Sequence, residues 1–163
     1  MKTKREQFVE VARAEIGTTE GPKNNETKYG KFTGHDLQPW CGSFVMWCAN
    51  QVKAKIPNVV YTPAGVEAFK GIGQWFNAET SSPQPGDIVF FDFPGGDEVD
   101  HVGIVVKDNL DGTVVTVEGN TSDAKSQSNG GEVMMKVRAF KKNNRRKLPV
   151  YAIGFGRPRW DKM

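Results

Sequence analysis

The hydrophobic positions of this chain change their period part-way along. Phe8, Val11, Ala12 and Ile16 recur at helical spacing behind Thr3 and Glu6, which fit a capping box. That pattern predicts a helix over 4–16, stopped by Gly17. Residues 17–39 are polar and marked by Gly and Pro, and read as loop. From Cys41 onward, Phe44, Val45, Trp47, Cys48 and Val52 suit a helix buried on most sides, and Pro39 discourages an upstream extension. Thr62-Pro63 reads as a cap with Pro at the first helical position, opening a short helix to about Lys70.

Beyond Ser81-Ser82-Pro83-Gln84-Pro85-Gly86 the period becomes that of strands, predicted over 87–93, 101–107, 113–118, 132–140 and 150–155. Helices followed by a run of strands imply an α+β fold, N-terminal helices packed on a central antiparallel sheet. The Ser/Pro stretch is short enough to be a connection inside one domain, so a single domain over 1–163 is expected. A chain of this length buries a sizeable core without staples.

Composition adds three constraints. The apolar share is 37%, below the usual ~45–50%, and eighteen Gly and nine Pro point to many turns. Two cysteines cannot make a disulfide framework. Seven apart on one helix, Cys41 and Cys48 would lie ~10 Å apart, too far to bridge. A reduced protein made in a cytoplasm is expected. Met1-Lys2-Thr3-Lys4-Arg5-Glu6 is not followed by the apolar core of a signal peptide, and no apolar run approaches the ~20 residues of a membrane span.

The net charge of +3 conceals an asymmetry. Residues 1–135 carry twelve Lys and Arg against eighteen Asp and Glu, whereas 136–160 carry nine basic residues and no acidic one. The simpler reading of that segment is a solvated basic strand and loop. The other is contact with an anionic polymer. No nucleic-acid-binding motif accompanies it.

The candidate chemistry begins at Trp40-Cys41-Gly42. A cysteine at a helix N-terminus has its thiolate favoured by the helix dipole, and Gly42 lets backbone come close to a substrate. Cys48, between Trp47 and Ala49, reads as a buried core thiol. A thiol nucleophile needs a base, and there are two histidines. His35 lies in a polar loop; His101 opens a strand that fixes its backbone. If strands 101–107 and 113–118 form a hairpin over a four-residue loop Asp108–Asp111, Lys107 pairs with Gly112 and His101 falls opposite Glu118, within hydrogen-bonding reach. A one-residue slip would put the two on opposite faces. Asn120 follows on the Glu118 face, with turn chemistry in Glu-Gly-Asn-Thr as the alternative for both.

The ordered set of motifs resembles the CHAP domain, a cysteine- and histidine-dependent amidohydrolase/peptidase family of papain-like (NlpC/P60-type) fold. The matching pieces are Lys28-Tyr29-Gly30-Lys31-Phe32, Pro39-Trp40-Cys41-Gly42-Ser43-Phe44-Val45, Pro85-Gly86-Asp87-Ile88-Val89-Phe90-Phe91, Asp100-His101-Val102-Gly103-Ile104-Val105, Val117-Glu118-Gly119-Asn120-Thr121 and Tyr151-Ala152-Ile153-Gly154-Phe155-Gly156-Arg157-Pro158. The resemblance implies a hydrolase of bacterial peptidoglycan, as in phage endolysins and bacterial autolysins. Cys41 would be the nucleophile, His101 the base, and Glu118 and Asn120 the orienting residues. It also offers Tyr29 as an oxyanion donor, against a reading of Tyr29 as a core or rim residue. Some members bind calcium in an Asp-rich loop before the cysteine. Here Gly34–Gln38 holds one carboxylate, Asp36, and calcium wants six to eight oxygens. The cluster Asp92, Asp97, Glu98 and Asp100 reads as a solvated rim, and His35, Cys41, Cys48 and His101 lack zinc-ligand spacing. The expectation is a monomeric enzyme with no metal, no cofactor, and neither nucleic acid nor membrane as partner. It would act on the wall after release from the cytoplasm that made it.

Overall fold

The computed structural model describes residues 1–96, 98–123 and 130–163. Helix α1 (Lys4–Ala14) starts at the predicted capping box: Glu6 N–H donates to Thr3 Oγ1 at 3.1 Å, and Thr3 N–H to Glu6 Oε2 at 2.7 Å. It buries Phe8, Val9 and Ala12. The helix ends two residues earlier than the sequence suggests, which leaves Ile16 exposed rather than in the core. A short helix, α2 (Lys28–Thr33), lies inside the predicted loop, capped by Thr27 Oγ1 on the Gly30 amide. Six residues containing a glycine are too few to show a period. Helix α3 (Cys41–Gln51) begins where expected and buries Cys41, Gly42, Ser43, Phe44, Val45, Cys48 and Ala49. In α4 (Thr62–Gly71), Thr62 is the first helical residue, not the cap; its hydroxyl donates to Val99 O at 2.7 Å.

The strands are β1 (Trp75–Asn77), β2 (Ile88–Phe91), β3 (His101–Asp108), β4 (Thr113–Thr121), β5 (Glu132–Ala139) and β6 (Ala152–Gly156). They form one antiparallel sheet in the order β1-β6-β2-β3-β4-β5. The α+β class and the helices-on-sheet arrangement are therefore as expected. Three-residue β1 escaped the sequence pattern, and β4 runs three residues further than predicted.

One sheet face (Ile88, Phe90, Val102, Ile104, Val117) packs on α1 and α3 with Phe8, Phe44, Val45 and Cys48. The other face (Val89, Phe91, Val105, Val114 and, from β6, Ala152 and Phe155) forms a second buried cluster with Phe93, Phe140 and Ala78. Both faces of β2 and β4 are thus buried, so polar side chains on these strands must find partners inside the protein.

The β3–β4 register differs from the predicted one. Asp108 pairs with Val114 and Lys107 with Val115, a slip of three from the four-residue loop expected. Val106 then forms a bulge, and Val105 pairs with Thr116 and Ile104 with Val117, so upstream of the bulge the slip is two.

Candidate active site

An even slip keeps every side chain on its predicted face. Continued from Ile104 and Val117, the register sets Gly103 opposite Glu118, with His101 two residues away on the same face. Glu118 therefore reaches His101 diagonally, over Gly103. A Cβ on Gly103 would lie 2.7 Å from Glu118 Cγ, so only glycine leaves that path open. His101 Nε2 and Glu118 Oε1 are 2.7 Å apart, and both side chains are fully buried.

Glu118 is held by more than the histidine. Arg138 of β5 donates from Nε to Oε2 at 2.9 Å and from Nη2 to Oε1 at 2.5 Å, and Thr116 Oγ1 donates to Oε2 at 2.5 Å. The Arg138 guanidinium also lies over the rings of Phe91 and Phe93, 5.2 and 5.1 Å from their centroids. The same two rings flank His101, at 5.6 and 5.5 Å. Arg138 and Thr116 were not anticipated as site residues. Arg138 was submerged in the basic count of 136–160. The usable signal was its alternation with Met134 and Lys136, which puts one face of β5 beside the Glu118 face of β4.

These contacts fix the charge states. Burial pushes the Glu118 carboxyl up, but hydrogen bonds and charge from Arg138 and His101 outweigh it and hold the group well below the usual carboxylate range. Burial likewise opposes a charged His101. The Cys41 side chain and Glu118 more than offset that, raising the imidazole to about 9. Nε2 is engaged with Glu118, and Nδ1 has no hydrogen-bond partner among the described residues. Of Cys41, His101 and Glu118, only the thiol residue has exposed surface, 5%. A substrate would meet sulfur first, with the imidazole and carboxylate beneath it.

Cys41 is the first residue of α3, and its N-cap, Trp40, makes no side-chain cap to the helix amides. Trp40 is instead pinned in the core by an Nε1–H bond to Glu20 Oε2 at 3.0 Å. Gly42 is indispensable for a different reason from the one expected. A Cβ there would lie 2.2 Å from Val59 O, so the close approach is to the chain's own 59–60 backbone.

The remaining predicted residues fall as follows. Asn120, the penultimate residue of β4, has φ +56° at a second bulge and is fully buried; its Oδ1 accepts from the Gly131 amide at 3.3 Å and its carbonyl from the Gly130 amide at 2.8 Å, contacts to the residues leading into β5 rather than within a Glu-Gly-Asn-Thr turn. Tyr29 is a core residue. It is fully buried between Trp40, Phe44 and Trp47, and its hydroxyl donates to Glu15 Oε1 at 2.8 Å. That proton is committed, which corrects the oxyanion assignment. Cys48 is fully buried, and burial holds its thiol far above the usual range. His35 is exposed. Asp36 Oδ1 accepts the Thr27 amide, Glu98 accepts the Tyr61 hydroxyl, and Asp100 accepts the Phe93 amide; Asp97 lies outside the described residues. Among the described residues no three His, Cys, Asp or Glu side chains are grouped to hold a metal ion. No helix among them is long and apolar enough to cross a membrane.

The family model of the CHAP domain matches residues 33–120, just over half of the chain. The chain belongs to the CHAP domain family. No curated protein matches it. Two similar solved structures are a lipoprotein-like protein of the NLP/P60 family from Staphylococcus aureus and the protein Ly7917. The first is 14% identical over 95% of this chain with a TM-score of 0.51; the second is 13% identical over 94% with a TM-score of 0.53. The matches span 41% and 62% of those chains. At such identity the likeness is one of fold alone.

Proposed function

We propose that this chain is a peptidoglycan hydrolase that cuts an amide or peptide bond of the bacterial wall through a Cys41–His101 thiol mechanism. The observation that carries the reading is the fully buried His101 imidazole, bonded to Glu118 at 2.7 Å through Nε2 and raised to about 9 because Cys41 and Glu118 outweigh the penalty of burial. The substrate class follows from membership of the CHAP family, and the endolysin-type assignment rests on the same kinship.

In the proposed reaction the proton of the Cys41 thiol resides on His101, giving a thiolate–imidazolium pair. The sulfur attacks the substrate carbonyl carbon, and the electron pair of the C=O bond moves to oxygen. The oxyanion would be held by the Cys41 N–H, the first amide of α3, which has no acceptor within the helix. Collapse expels the amine, which takes its proton from His101. Water then adds to the thioester with neutral His101 as general base, releasing the acid and restoring the thiol. Glu118 stabilises the imidazolium and fixes the ring plane without changing its own charge. Cys41→Ala and His101→Ala are each expected to abolish release of soluble fragments from purified walls. Persistence of lysis in Cys41→Ala would sink the thiol mechanism. Mass spectrometry of the digest separates muramoyl-alanine amidase cleavage from endopeptidase cleavage.

A further inference from the structure

The basic segment 136–160 divides into two populations. Lys136 donates to Ser122 O, Arg138 is bound to Glu118, Arg157 is bound bidentately to buried Asp87 at 2.8 and 3.0 Å, and Arg159 donates to Ile72 O. These are structural cations. Lys142, Arg145, Arg146 and Lys147 are exposed and Lys141 half-exposed, all in the seven residues that follow Phe140. Among the described residues their charged ends make a long Arg146–Asp111 pair at 3.8 Å, and Lys141 bonds Glu79 O at 3.3 Å and lies over the Phe140 ring, 5.8 Å from its centroid.

The loop carrying them is built rather than loose. Asn144 is buried at its centre. Its Nδ2 donates to the carbonyls of Lys141 and Leu148 at 2.8 and 3.0 Å, and its Oδ1 accepts the Leu148 amide at 2.9 Å. Backbone bonds from Phe140 and Arg145 tie it to Gly112 and Asp111 of the β3–β4 turn. Two concavities border it. One of about 310 Å³ carries Lys136, Arg138 and Lys147, and one of about 610 Å³ carries Lys141 and Arg145. Each also has carboxylates on its wall, Asp123 in the first and Asp108 and Asp111 in the second.

We infer that loop 141–147 is a docking surface for a flexible, linear polyanion of phosphodiester units, of which a glycerol-phosphate polymer is the simplest. Five cations held on a fixed loop, with grooves on both sides, suit a chain of regularly spaced charges better than one compact anion. A nucleic acid fits less well. Base stacking needs aromatic faces; beside the loop Phe91 and Phe140 are buried and Tyr151 is half-buried, while the exposed aromatics, Phe32 and Tyr61, lie elsewhere. The inference rests on the wall-hydrolase reading only for where such a polymer would be met. Binding itself is read without turnover, so the two can fail separately.

The test uses the full chain on immobilised poly(glycerol phosphate), with single-stranded DNA of equal phosphate count, vesicles containing anionic lipid, and a neutral polysaccharide as comparisons. If each cation releases about 0.7 counterion, the single-strand value, five engaged cations give a log–log salt slope near −3.5. Lys142→Gln/Arg145→Gln/Lys147→Gln should flatten it by about 2 and weaken binding at least tenfold at low salt. Lys23→Gln/Lys53→Gln/Lys55→Gln, which removes as many exposed cations elsewhere, should leave both unchanged. Circular dichroism and cleavage of a soluble wall fragment confirm that the loop variant is folded and active. Equal losses in the two triple variants would overturn the loop as the site. Tighter binding to the DNA or the vesicles would overturn the occupant.

Discussion

Arg138→Met tests whether the Glu118 contacts carry the energy that the site needs. Arg138 supplies two of the four hydrogen bonds that Glu118 accepts, and its side chain is 11% exposed. Methionine keeps the unbranched stem but leaves a buried carboxylate with only His101 and Thr116. Removing one partner of a buried pair costs about 3–5 kcal/mol, and the lost stacking on Phe91 and Phe93 adds roughly 0.5–1 kcal/mol. With a urea slope of about 2 kcal/mol/M, the midpoint should fall by about 2 M. Tryptophan fluorescence follows the unfolding, since Trp40 and Trp47 lie in the core. The deficit should also depend on pH. Arg138 helps to hold the Glu118 carboxyl low, so without it the carboxyl rises. The variant can then protonate Glu118 and relieve the unpaired charge, and its deficit against the parent should narrow from pH 7 to pH 4.5. Glu118→Gln/Arg138→Met, which removes both charges, should lose less than Arg138→Met alone. A loss under about 1 kcal/mol, or one that is flat with pH, would refute the claim that Arg138 compensates this carboxylate.

Gly103→Ala adds one methyl and removes no functional group, yet puts a carbon 2.7 Å from Glu118 Cγ; kcat should fall about 10–100-fold with KM little changed, and wild-type kinetics would disprove the crowding. His101, raised from 6.5 to about 9, contributes stability that is fully present below about pH 6.5 and is lost as pH rises through about 9; the difference in unfolding free energy from His101→Gln should shrink across that window, and a constant difference would contradict a charged native imidazole. The alkaline limb of kcat/KM should lie near pH 9 and move to lower pH in Glu118→Gln. Activity on walls should survive EDTA, because Gly34–Gln38 offers a single carboxylate, Asp36, where calcium wants six to eight oxygens; a loss restored by calcium would overturn that expectation.

What the sequence disclosed was whatever a short window can encode. The Thr3–Glu6 box, the buried face of α3 and the strand periods each need fewer than a dozen residues, and each is present. Cys41 and His101 could be singled out as candidates because few residue types supply a nucleophile or a base and the chain holds two of each. Arg138 was not, because nothing within its own strand distinguishes a guanidinium that will meet a carboxylate from one that will meet water. Its role depends on β5 lying beside β4 and on Phe91 and Phe93 arriving from another part of the chain. Tyr29 failed for the converse reason: its place in the motif suggested catalysis, but Glu15, fourteen residues earlier, takes its proton.

The His101–Glu118 contact was reached from a register that the turn does not adopt, and the reason it survives is physical. Turn Asn109–Thr113 is longer than the loop assumed, and alone it would shift the pairing by three and turn His101 away from Glu118. Val106, unpaired in the bulge, takes up one residue and restores the parity. What sets that parity is the rest of the sheet. Val102 and Ile104 must face α1 and α3, while Phe91, directly across from His101, belongs to the opposite core. Two hydrophobic layers thus fix which way His101 points before any polar contact forms, and the bulge absorbs the mismatch left by the turn. The buried charges then settle the distance, through Gly103 on one side and Arg138 on the other. The face on which the site lies is therefore a property of core packing, and the closeness of its groups a property of the carboxylate's four donors.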